Sequence, residues 1–269
     1  MKLVMKVGGS ILGEGVNASI LDDIKTTINS REMIIVHGGG KEVTEIAEKL
    51  GKKQVFVVSP EGIRSRYTDK ETASLYTMVM VGKINKEIVS ALQRTGIPAV
   101  GLSGVDGGIL RAERKKKLIV VDERGRKKVV DGGYTGKINN VNSELLLLMI
   151  KNGYLPVVSP VALSEEYDFL NVDGDRAAAY VAGSMKADVT IFLTDVKGVL
   201  MNDQTVPNIT VSRAKALLPQ IGFGMEKKVL ASIEAISMGV KECIITSGLV
   251  KNPITSALNH DECTVIYPG

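Results

Sequence analysis

The stretch Met33-Ile34-Ile35-Val36-His37-Gly38-Gly39-Gly40-Lys41-Glu42-Val43-Thr44-Glu45-Ile46-Ala47 decides the fold. Met33–Val36 is a short, β-rich apolar run and reads as a strand. Three glycines follow, and the chain passes directly into a helical stretch at 41–50. Glycine at such a turn lets backbone N–H groups approach an anion, and the helix N-terminus adds its positive dipole. The same grammar stands at the start of the chain, where the strand Leu3–Val7 runs into Lys6-Val7-Gly8-Gly9-Ser10. Further strand-like runs occur at Val55–Val58, Ala99–Leu102, Leu155–Ser159, Val189–Leu193 and Glu242–Thr246. They alternate with helical stretches at 18–30, 69–94, 141–152, 173–185, 211–218 and 226–238. This alternation predicts an α/β fold with a largely parallel sheet buried between helix layers. Thr68-Asp69, Ser212 and Asn252-Pro253 supply helix-start signals. In such sheets ligands bind at the carboxyl edge, where both glycine clusters fall. Glycine serving only tight turns would explain one cluster. Two clusters, one preceded by Lys6, favour a phosphate site.

The chain has 269 residues with 44% hydrophobic and 24% charged residues, which excludes disordered and fibrous classes. No run approaches the ~20 apolar residues of a membrane helix, and the N-terminus lacks the apolar core of a signal peptide. A cytoplasmic protein is expected. The two cysteines, Cys243 and Cys263, and the two histidines, His37 and His260, are too few for a metal site built on those ligands. A single disulfide between the cysteines stays open. No G-x-x-x-x-G-K-[ST], H-R-D or D-F-G is present, so P-loop NTPases and protein kinases are excluded. Gly13-Glu14-Gly15 with Ala18 mimics a dinucleotide fingerprint but lies past the first strand, and reads as a loop.

The net charge of +4 sits in one place: residues 111–131 hold nine basic and four acidic residues. Leu118–Val121 and Val129–Val130 read as strands around a Glu123–Arg126 turn, a basic β-hairpin. Either it is simply solvated, or it receives an acidic protein or nucleic acid. Aromatic residues are not interleaved with the bases, which argues against nucleic acid. A change of lobe is expected near 160–170, within the polar Ser164–Asp168 segment.

Five motifs now stand in order: Lys6-Val7-Gly8-Gly9-Ser10, His37-Gly38-Gly39-Gly40, Asn171-Val172-Asp173-Gly174-Asp175, Thr194-Asp195-Val196-Lys197-Gly198 and Gly224-Met225-Glu226-Lys227-Lys228. Together they resemble the amino-acid kinase superfamily, and within it N-acetylglutamate kinase and its carrier-protein relatives. The resemblance implies a three-layer αβα sandwich. Its N-terminal lobe (1–165) would bind the amino-acid substrate and dimerise, and its C-terminal lobe (166–269) would bind ATP with Mg2+. The implied reaction phosphorylates a side-chain carboxylate. Pro60-Glu61-Gly62-Ile63-Arg64-Ser65-Arg66-Tyr67-Thr68 and Gly132-Gly133-Tyr134-Thr135-Gly136 look like the kinases that act on aminoadipate or glutamate attached to an acidic amino-group carrier protein. The basic hairpin fits such a partner.

By this resemblance Lys6 and Lys228 flank the transferred phosphoryl group, and Asp175 holds both lysines. Arg64, Asn171, Gly39 and Gly40 bind the substrate carboxylate, with Arg66, Tyr67 and Tyr134 on the substrate or carrier side. Gly8, Gly9, Ser10, Asp195, Lys197 and Met225 fall to the nucleotide. Lys115, Lys116, Lys117, Arg124, Arg126, Lys127 and Lys128 are the candidate carrier contacts. An acceptor carboxylate with a pKa of ~4.3 is already ionised and needs no general base, so the scarcity of histidine is no obstacle. The competing readings are a kinase for free N-acetylglutamate, and a non-catalytic nucleotide sensor or nucleic-acid binder.

Overall fold

The computed structural model describes residues 1–12, 17–202, 204–222 and 224–269. The Gly13-Glu14-Gly15 reading lies outside the described residues.

An eight-stranded sheet forms the centre. In spatial order its strands are Asn208–Thr210, Cys263–Tyr267, Glu242–Ser247, Val189–Thr194, Lys2–Val7, Glu32–His37, Leu155–Ser159 and Ala99–Ser103. Six of them run parallel; Cys263–Tyr267 lies antiparallel to Glu242–Ser247 and carries Asn208–Thr210 parallel to itself. The first strand is central, with Met5 beside Ile191 on one side and Ile35 on the other. Alternate residues of the strands feed opposite helix layers. Leu3, Met5, Ile35 and Ile191 join one buried cluster with the helix Ala18–Thr27 and the long helix from Lys70 to Arg94. Val4, Ile34, Val36 and Phe192 join the other, against Gly174–Met185 and Met225–Ser237. This is the expected αβα sandwich.

The predicted strands and helices all appear, and the departures are instructive. The 69–94 stretch is one continuous helix carrying a π-helical segment, Met78–Ile84. The helix predicted at 141–152 begins only at Glu144, because Gly136–Val141 is a strand. That strand pairs with Leu110–Arg114 in a second, four-stranded sheet that also holds Val161–Leu163 and Phe169–Asn171. Its Gly-Lys-Ile-Asn-Asn-Val sequence has little β propensity, so pairing rather than composition makes it a strand. The helix start assigned to Ser212 belongs to Thr210, whose hydroxyl accepts from the Arg213 N–H. Cys243 and Cys263 are buried and free of any disulfide. Among the described residues no helix is long and apolar enough to cross a membrane.

Candidate active site

The parallel strands end at one edge, and an open cleft of about 600 Å³ lies there. At its foot, Lys6 shares a strand face with Val4, so its side chain points into the Gly174–Met185 layer rather than toward water. Its Nζ lies 2.7 Å from Asp175 Oδ1, and Lys228 Nζ lies 3.4 Å from Asp175 Oδ2. All three side chains are nearly buried, at 9%, 6% and 12% exposure for Lys6, Asp175 and Lys228. Asp173 caps the helix that carries Asp175, accepting from the Asp175 and Arg176 N–H groups at 3.0 Å each. Burial pushes the Asp175 carboxyl pKa up, but the two lysines outweigh it and hold the group below the usual carboxylate range. Two cations on one carboxylate leave a surplus positive charge at the cleft floor.

The two glycine turns meet back to back. A Cβ placed on Gly9 would sit 2.9 Å from the Gly39 nitrogen, and one on Gly38 would sit 2.9 Å from the Gly9 nitrogen. Any side chain there would force the turns apart. Gly39, at φ +152°, opens the Gly40–Lys49 helix with no side chain capping it. Gly224, at φ +85°, opens Met225–Ser237 in the same way. Two uncapped helix N-termini therefore border the cleft beside the lysines, an arrangement suited to anions. Behind the turn His37 is fully buried. Its Nδ1 lies 2.9 Å from the Gly38 carbonyl and its Nε2 lies 2.9 Å from Ser159 Oγ. Burial drives its pKa down to about 4, so the imidazole is neutral and braces the turn.

The hairpin Val55–Val58/Arg64–Tyr67 forms one wall. Arg64 is exposed and lies over the Phe56 ring at 3.9 Å. Arg66 is buried, with Nη2 donating to the Gly40 carbonyl at 2.6 Å and to Thr44 Oγ1 at 2.9 Å, and Nη1 donating to Gln54. It ties the wall to the glycine turn. Asn171 faces the cleft and donates to Thr68 Oγ1 at 3.0 Å. Lys227 reaches across and donates to the Arg64 carbonyl at 2.8 Å.

A second hairpin, Lys117–Val121/Lys127–Asp131, stands beside the first. Asp122 stitches its turn, accepting from the Arg124 and Arg126 N–H groups at 3.0 and 2.9 Å. The same carboxylate holds Arg126 at 2.9 Å and Lys128 at 3.2 Å. Those two bases thus share one carboxylate within the hairpin. Lys116, Lys117, Arg124 and Lys127 have no ion pair among the described residues. Lys115 is half-buried at the cleft wall, and desolvation lowers its pKa.

One cleft therefore brings together Lys6, Gly9, Gly39, Gly40, Arg64, Arg66, Lys115, Asn171, Asp175 and Lys228. Other expected residues lie outside its walls. Gly8 and Ser10 flank Gly9, and Met225 follows the lining residue Gly224. Tyr67 and Tyr134 are half-buried, and the Arg114 guanidinium lies over the Tyr134 ring at 4.3 Å. Asp195 and Lys197 are exposed in the loop after Val189–Thr194, and Lys197 pairs with Glu262 at 2.7 Å. Sequence reasoning missed Phe56, Tyr76, Met80, Arg176 and Lys227, which also line the cleft. Phe56 had a signal, as one of only four phenylalanines and at two-residue spacing from the Gln54 that later meets Arg66. Tyr76 and Met80 had none, because they read as ordinary core positions of a long helix.

Solved structures share this fold. A Streptococcus mutans protein, smu.665, superposes with a TM-score of 0.80 at 23% identity, covering 100% of this chain and 99% of its own. A carbamate kinase from Giardia gives 0.71 at 16% identity over 100% and 99%. At such identities the likeness concerns the fold alone. The chain belongs to the amino acid kinase family, whose model matches residues 1–247. Among its relatives, the LysW-aminoadipate/LysW-glutamate kinase of Saccharolobus solfataricus is 46% identical, over 99% of this chain and 100% of the relative. A Nitrosopumilus maritimus protein provisionally given the same name is 55% identical over 98% of both chains.

Proposed function

We infer that this chain is an ATP-dependent kinase that phosphorylates the side-chain carboxylate of aminoadipate or glutamate linked to an acidic LysW-type carrier protein, in lysine or arginine biosynthesis. The observation that carries the reading is the buried Lys6–Asp175–Lys228 triad, set against two glycine turns beneath a basic hairpin. The 46% identity to the Saccharolobus enzyme supports the choice of acceptor.

In this reading the acceptor carboxylate, already ionised, attacks the γ-phosphorus of ATP in line. The new bond joins the carboxylate oxygen to phosphorus, and the bond to the bridging oxygen breaks to release ADP. Lys6 and Lys228 neutralise charge on the transferring phosphoryl group, and Asp175 fixes their positions. Arg64, Asn171 and the Gly39–Gly40 backbone orient the acceptor through its other carboxylate. Gly8, Gly9 and Ser10 approach the nucleotide phosphates, with Met225, Asp195 and Lys197 on the nucleotide side. Mg2+ enters with ATP. Such an ion is held mainly by phosphates and water. Residues 1–165 supply most of the acceptor side and 166–269 most of the nucleotide side, with Asn171 and the Gly8–Ser10 turn crossing that division, and the protein works as a cytoplasmic homodimer.

Trapping of the acyl phosphate with hydroxylamine tests this. Turnover is expected with LysW carrier bearing glutamate or aminoadipate, and is expected to fall by about 10²–10³-fold in Lys228→Ala. Equal turnover of free N-acetylglutamate would remove the carrier from the reading.

A further inference from the structure

The outer face of the second hairpin carries a feature that charge does not explain. In its register Lys117 stands opposite Asp131, Ile119 opposite Val129, and Val121 opposite Lys127. Side chains at these alternate positions share one face. The other face holds Leu118 and Val120, of which Val120 is buried. On the outer face Ile119 is 54% exposed and Val129 64% exposed. Threonine would serve the strand equally well at both positions without presenting apolar surface to water.

The surroundings say what kind of surface this is. Lys117 and Lys127 stand on either side of the apolar pair, and neither has an ion pair among the described residues. Asp122 is taken up by Arg126 and Lys128, and Asp131 lies 3.9 Å from Arg114. An apolar centre inside a rim of uncommitted cations has the anatomy of a protein interface. The surface is also continuous with the active site, because Ile119 lines the same cleft as Phe56 and Val57.

We propose that the outer face of the 117–131 hairpin docks an acidic protein that inserts an apolar side chain against Ile119 and Val129, while its carboxylates meet Lys117 and Lys127. The proposal rests on the carrier reading above and adds an apolar anchor that electrostatic attraction alone would not require. The cations then govern encounter and its salt dependence, and the apolar pair governs the lifetime of the complex.

The test titrates purified LysW carrier conjugated to glutamate onto the full chain at several salt concentrations. Ile119→Thr/Val129→Thr keeps both positions β-branched, so the hairpin persists. Its affinity is expected to fall by about tenfold or more, through faster dissociation, with the salt slope unchanged. Lys117→Gln/Lys127→Gln should instead slow association and flatten the salt dependence. Thermal unfolding checks both variants; should the double threonine variant unfold, Ile119→Thr alone carries the same test. Unchanged affinity in the threonine variant overturns the apolar anchor and leaves the carrier reading standing. If the unaltered chain fails to bind the carrier, the carrier reading falls and the proposal with it. If the threonine substitutions dissolve a dimer on light scattering while carrier affinity holds, the face belongs to a second copy and the proposal is overturned.

Discussion

Asp175 pairs with two nearly buried lysines through one carboxylate, and that sharing makes the arrangement fragile. Asp175→Asn leaves Lys6 and Lys228 without a counter-charge. It is expected to cost about 3–5 kcal/mol in urea unfolding. On the proposed mechanism Lys228→Ala should lower kcat by a factor of about 10²–10³ in the coupled ATP assay, by removing one positive charge from beside the transferring phosphoryl group. A kcat within threefold of the parent would take Lys228 out of the chemistry. His37 makes a separate prediction. Its pKa is 6.5 without the fold and about 4 within it, because burial penalises the charged ring. Between those values the unfolded chain holds a proton that the folded chain lacks. Stability should therefore fall as pH drops from 6.5 toward 4, by roughly 3 kcal/mol over the whole window. Asp175 loses its contribution only at lower pH, because its folded pKa lies below the usual carboxylate value. His37→Asn should flatten the slope above pH 4 in chemical-denaturation curves; an equal slope in the variant refutes the assignment. Lys6 was legible in the sequence because it breaks a local rule, a lysine inside an apolar strand, whereas Asp175 is an ordinary first-turn acid and only the motif it belongs to singled it out. The resemblance placed Arg66 on the substrate or carrier side, but its bonds to Gly40, Thr44 and Gln54 join separate parts of the chain and only the fold shows them.

At the scale of elements, the helix Pro253–Leu258 shows how a short piece is kept in place. Asp23, buried on the helix Ala18–Thr27, accepts from the Ile254 N–H at 2.6 Å, the Thr255 N–H at 3.0 Å and the Thr255 hydroxyl at 2.6 Å. A carboxylate from elsewhere in the chain thus supplies the cap that Asn252 does not. Asp23→Ala leaves the buried Ile254 N–H unmet while the Thr255 donors can turn to water, and should cost about 1–3 kcal/mol of stability in urea unfolding, with faster amide exchange confined to 253–258. A loss under about 0.5 kcal/mol would show that water replaces the carboxylate. The regular elements were readable because period-two and helical patterns are local. The second sheet was not. Gly136–Val141 becomes a strand only through its partner Leu110–Arg114, and no window of sequence contains both.

For the whole molecule, the position of the first strand governs how the halves depend on each other. Lys2–Val7 lies between Val189–Thr194 and Glu32–His37, so the sheet runs unbroken through residues from both halves. The segment 166–269 expressed alone would expose one edge of Val189–Thr194 and the apolar faces that Met5 and Val4 cover. It is expected to give a spectrum without dispersed amide signals, and the full chain to unfold in one cooperative transition. A folded 166–269 fragment would show that the C-terminal half is an independent domain.

The α/β alternation, the glycine turns at strand ends, the basic segment at 111–131 and the five ordered motifs were all settled along the chain, because each depends on neighbours a few residues apart. The partnerships were settled in space. Lys228 rather than Lys227 meets Asp175 because successive residues of a helix turn away from each other; Lys227 goes to the Arg64 carbonyl instead. Arg126 and Lys128 are spent on Asp122, while Lys117 and Lys127 flank an exposed apolar pair, because hairpin register sorts alternate side chains onto opposite faces. Sheet order, helix phase and strand register join residues far apart in the chain, and composition is blind to all three.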